Sequence, residues 1–123
     1  MLPMTISLLI LILFRFVFLL GYVPTASMEP ALKTGSLLLG VRVWGDIQKG
    51  DIIVFQHNKE YLVKRVEAVE GDLIESNGEN LVVPEGGFYV LGDNGQCSYD
   101  SRYWEYPFVM NDDIVAKVIL PTR

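Results

Sequence analysis

The 123-residue chain has one cysteine, Cys97, and one histidine, His57. A single cysteine excludes an intramolecular disulfide, so the fold is held by its core whatever the compartment. No Cys/His spacing suits a metal and no Gly-rich loop suits a phosphate, so neither metal nor cofactor is expected. Positive charge is also scarce, with ten Lys and Arg against fifteen Asp and Glu and a net charge of −5. That balance argues against nucleic-acid binding, which needs a basic footprint. Charge is almost missing from residues 1–28, where Arg15 stands alone. The length fits one ordinary domain, and the sequence shows no repeat, low-complexity tract or linker.

What is there in quantity is apolar, at 50% of the residues. Much of it lies between Ile6 and Val23, where only Ser7, Arg15 and Gly21 are neither aliphatic nor aromatic. With Leu2 added, this run reaches the ~20 residues an α-helix needs to cross a hydrocarbon core. Residues 1–23 are therefore expected to form one transmembrane anchor in a lipid bilayer. Arg15 costs about 2.5–3.5 kcal/mol near the centre of such a helix, which the flanking apolar runs and snorkelling can absorb. A cleavable leader fits less well, because Met-Leu-Pro-Met carries no basic residue and Pro24 falls near the only candidate cleavage point. A buried core helix would need a polar face that this run lacks. Neither flank is clearly basic, so orientation is open.

From residue 24 to 123 the pattern changes to short β-branched and aromatic runs separated by Gly45-Asp46, Gly50-Asp51, Gly71-Asp72 and Gly92-Asp93. Such punctuation marks turns in an all-β domain of antiparallel strands. Strands are expected at Ser36–Val43, Asp51–Gln56, Tyr61–Glu70, Asp72–Glu75, Asn80–Val83, Gly87–Leu91 and Ile114–Leu120. In the third of these, period-2 alternation puts Leu62, Lys64, Val66 and Ala68 on one face. Lys64 thus interrupts an apolar stripe. Desolvation there penalises its charged form and lowers its pKa, which is how a lysine becomes a general base. A lysine whose stem packs on the sheet while its ammonium reaches water would give the same pattern. A nucleophile is available in Ser27, held between Pro24 and Pro30 in a restricted course. It reads equally as a loop serine. His57, in Gln56-His57-Asn58-Lys59, reads as a solvated turn residue.

Four segments occur in order after the apolar run: Ser27-Met28-Glu29-Pro30; Gly50-Asp51-Ile52-Ile53-Val54-Phe55; Lys64-Arg65-Val66 followed by Gly71-Asp72; and Gly92-Asp93-Asn94 leading to Ser98-Tyr99-Asp100-Ser101-Arg102. Together they resemble the type I signal peptidases. The resemblance implies a Ser/Lys-dyad serine endopeptidase that cuts signal peptides from exported preproteins. In that family pattern Ser27 is the nucleophile, Lys64 the general base and Ser98 the residue that orients the lysine. The Thr25 hydroxyl and the Ser27 N–H form the oxyanion hole. Asp100 with Arg102, and Arg65 with Asp93, form structural ion pairs beside the site. The resemblance also implies a single-pass membrane protein with its catalytic unit, residues 24–123, on the exported side, in a bacterial plasma membrane by its wording or in a mitochondrial inner membrane.

The chain departs from the pattern at Ala31, where Thr usually follows the proline, at Gly95, usually Arg, and at Glu105, usually Gly. Cys97 beside Ser98 is unusual. None of these removes a dyad group, but they leave room for a membrane-tethered peptide-binding module that has lost turnover. Only 27 residues separate Lys64 from residue 92, so the second β subdomain of larger relatives is absent. Soluble self-cleaving repressors share Ser/Lys chemistry, but the anchor and acidic balance speak against that reading.

Overall fold

The computed structural model describes residues 6, 8, 18–23, 28–30, 32–33, 35–42, 45–76, 78–94 and 99–120. Among these, nine strands form: β1 Phe18–Tyr22, β2 Leu37–Val41, β3 Ile52–His57, β4 Glu60–Val69, β5 Leu73–Ser76, β6 Glu79–Val82, β7 Gly87–Leu91, β8 Val109–Met110 and β9 Ile114–Leu120. Seven make one antiparallel sheet in the order β1-β2-β9-β3-β4-β7-β8, and β5 and β6 pair separately.

Two of the Gly-Asp pairs build turns with a division of labour. Gly50 and Gly71 adopt φ of 92° and 86°, a region glycine enters at little cost. The following aspartates close the turns, Asp51 accepting the Gln48 N–H at 2.8 Å and Asp72 accepting the Val69 N–H at 2.9 Å. The central strand β3 is buried on both faces. Ile52 and Val54 join a core with Val23, Met28, Leu32, Leu38 and Ala116, while Ile53 and Phe55 join one with Val66, Val90, Trp104, Val109 and Ile114. Each face of the sheet thus has its own apolar layer.

Three expectations change. Phe18–Tyr22 is a strand, paired with β2 from Phe18↔Val41 to Tyr22↔Leu37. The last residues of the anchor expected over 1–23 thus fall in this strand. A continuous Phe/Leu run carries no period that separates helix from buried strand, and here β2 satisfies its backbone groups. Among the described residues no helix is long and apolar enough to cross a membrane, and residues 1–5, 7 and 9–17 lie outside them. Secondly, β8 was not expected, because two residues are too short to show alternation. Thirdly, His57 ends β3 and stacks on Trp104, with ring centroids 4.1 Å apart at 21°.

Candidate active site

β4 carries two cations in succession, and strand alternation sends them to opposite faces. Lys64 pairs with Ile53 across the strands, shares its face with Val66, and is only 3% exposed. The stripe expected from alternation ends there, because a bulge between Val66 and Ala68 sets Ala68 against Tyr89 and into a separate cluster with Val83. Burial lowers its pKa from the usual lysine value. The Arg102 charge pushes the same way, and the Asp100 carboxylate opposes both. Burial here shifts the balance toward the neutral amine relative to an exposed lysine.

Asp100 is fully buried and hydrogen-bonded on both oxygens. Its Oδ2 accepts the Gly92 N–H at 2.8 Å, and its two oxygens receive Arg102 Nε and Nη2, both at 2.8 Å. It also caps the 3-10 turn Ser101–Tyr103 by accepting the Arg102 N–H at 3.2 Å. Ser101 Oγ accepts the Val90 N–H at 3.0 Å, so the turn is fastened directly to β7. Trp104 closes this side, packing edge-on against Phe55 and face-on against His57.

On the other face Arg65 forms a second fork, Nε and Nη2 each 2.9 Å from the Asp93 oxygens, and its Nη1 donates to the Gly50 carbonyl at 2.6 Å. The hydrogen bond to Asp93 raises the Arg65 pKa, so the guanidinium stays charged. The Asp93 N–H in turn points at Met28 Sδ, 3.4 Å away. Met28 is 1% exposed, and its carbonyl accepts the Leu32 N–H at 2.8 Å. The residue after Ser27 is therefore fixed in the core beside the Arg65 fork.

The structure thus brings Lys64, Asp100 and Arg102 together on one face and Arg65, Asp93 and Met28 on the other. Thr25, Ser27 and Ser98 lie outside the described residues, as do Ala31, Gly95 and Cys97. Glu105 is exposed. Sequence reasoning missed the Met28 sulfur contact, the Gly50 carbonyl as a partner of Arg65, and the packing of His57 on Trp104. Among the described residues no group of His, Cys, Asp and Glu is placed to hold a metal ion.

The family described as "Signal peptidase, peptidase S26" matches this chain over residues 1–83 and 76–122. The chain belongs to that family. Signal peptidase I of Leptolyngbya laminosa is 29% identical over 80% of this chain and 66% of its own length. Signal peptidase IB of Staphylococcus aureus is also 29% identical, over 75% of this chain and 71% of its own length. This peptidase S26 family member therefore spans about two thirds of the cyanobacterial relative's length.

Proposed function

We propose that the chain is a membrane-anchored serine endopeptidase that removes signal peptides from exported preproteins, with Ser27 as nucleophile and Lys64 as general base. The observation that carries this reading is the burial of Lys64 in an apolar face beside the Asp100–Arg102 pair. Neutral Lys64 takes the Ser27 hydroxyl proton while Ser27 Oγ attacks the scissile carbonyl. The Thr25 hydroxyl and the Ser27 N–H hold the oxyanion, each such donor being worth about 2.7–4 kcal/mol. The Lys64 ammonium then protonates the departing amine, and water, deprotonated by Lys64, hydrolyses the acyl-enzyme. Ser98 orients the lysine for both transfers. No cofactor enters the scheme.

Residues upstream of β1 supply the bilayer anchor, in a bacterial plasma membrane in keeping with the bacterial relatives, with the catalytic unit on the exported side. The deciding experiment incubates the detergent-solubilised chain with a preprotein and reads the new N-terminus by mass spectrometry. A defined cut after a small residue, abolished in Ser27→Ala and in Lys64→Ala, is the expected result. Cleavage at the wild-type rate by both variants would overturn the dyad. Peptide binding without any cut by the wild type would mark a binding module.

A further inference from the structure

We propose that the Met28 sulfur is a positioning group for Ser27: by accepting the Asp93 N–H it ties the segment bearing the nucleophile to the Arg65–Asp93 fork, and so to the strand that carries Lys64. This rests on the reading of Ser27 and Lys64 as the reacting pair.

Met28 packs with Ile52 and Val54 on the face of the sheet that Arg65 occupies, whereas Lys64 lies on the opposite face with Ile53. Apolar packing is non-directional. Burial alone therefore holds Met28 against the sheet without fixing its position along it. The sulfur contact supplies that direction. Its donor is the backbone of Asp93, whose carboxylate is gripped by two guanidinium nitrogens while the third donates to the Gly50 carbonyl. From Ser27 to Lys64 the connection runs through one peptide bond, the Met28 sulfur, the Asp93 amide and carboxylate, the Arg65 guanidinium, and one further peptide bond. A thioether is a weak acceptor, so little stability rides on it. Rate is more sensitive than stability, since misplacing a reacting atom by 1 Å can cost about 10²-fold.

Met28→Leu keeps nearly the same volume and removes the acceptor. On a reporter preprotein it is expected to lower kcat about tenfold, with KM and melting temperature little changed. Protein containing selenomethionine, which retains a soft acceptor, should keep the wild-type kcat. Arg65→Lys breaks the fork, and the double variant Met28→Leu/Arg65→Lys should lose no more than the worse single variant, because the two act in series. Wild-type kcat in Met28→Leu, or losses that multiply in the double variant, would overturn the role. The Asp93 amide resonance in detergent-solubilised 15N-labelled protein should shift in Met28→Leu, and one that stays put overturns the contact whether or not the wild type cleaves. A wild type that leaves the preprotein intact overturns the dyad reading, and the positioning role with it.

Discussion

Two arginine–carboxylate forks flank Lys64, similar in length and opposite in setting. In Asp100–Arg102 the carboxylate is fully buried, whereas in Arg65–Asp93 both side chains keep about a fifth to a quarter of their surface. A carboxylate with no access to water must meet every lone pair with a protein donor, and Asp100 does so with Gly92 and Arg102. Its charge also acts on Lys64, opposing the effect of burial on the lysine pKa. Asp93 has water to fall back on and serves as a mechanical joint between β4 and the bend after β7. The same pairing chemistry thus does electrostatic work on one face and positional work on the other.

If this contrast holds, the largest effect is Asp100→Ala, which strands the buried Gly92 N–H and leaves Arg102 without its anchor. It is expected to cost about 3–5 kcal/mol in a denaturant titration. Asp93→Asn should cost about 1 kcal/mol, and a loss equal to that of Asp100→Ala would erase the distinction between the forks. A pH profile sharpens it further. The proposed scheme needs neutral Lys64, so under it kcat/KM should rise with pH, with its midpoint below the ordinary lysine value of 10.5. Arg102→Met removes a charge that lowers the Lys64 pKa and leaves Asp100, which raises it, uncompensated. Both changes move the rising limb to higher pH, and a limb that stays put would remove this fork from the electrostatics. The smallest effect is expected at the solvent-exposed Lys49–Asp72 pair, 3.0 Å long. Lys49→Ala should change stability by less than about 0.5 kcal/mol.

Much of the sheet was legible because its signals are local. The seven expected strands correspond to β2–β7 and β9 within a residue or two, since glycine and aspartate at Gly50-Asp51 and Gly71-Asp72 mark turns by their own stereochemistry. The apolar stripe around Lys64 was legible as far as Val66, as alternation is a property of neighbours, but the bulge that takes Ala68 off that face depends on pairing with β7. What escaped is non-local. Gly92-Asp93 looked like a third turn of the same kind, but its two residues bond to Asp100 and Arg65, 8 and 28 positions away. Phe18–Tyr22 is strand because β2 lies beside it, and nothing within FLLGY says so. His57 faces Trp104, 47 positions away, so no window around the histidine could replace water with an indole as its neighbour.

The β1 pairing has one more consequence. Phe18 faces Val41, Val41 faces Lys117, Lys117 faces Ile53 and Ile53 faces Lys64. Four strand spacings of about 4.8 Å put Lys64 roughly 19 Å from the point where the chain joins the sheet, on the same rung. The ladder is a ruler. Whatever holds the residues before Phe18 also sets the height of Lys64, and a two-residue slip of β1 would move that height by about 6.8 Å.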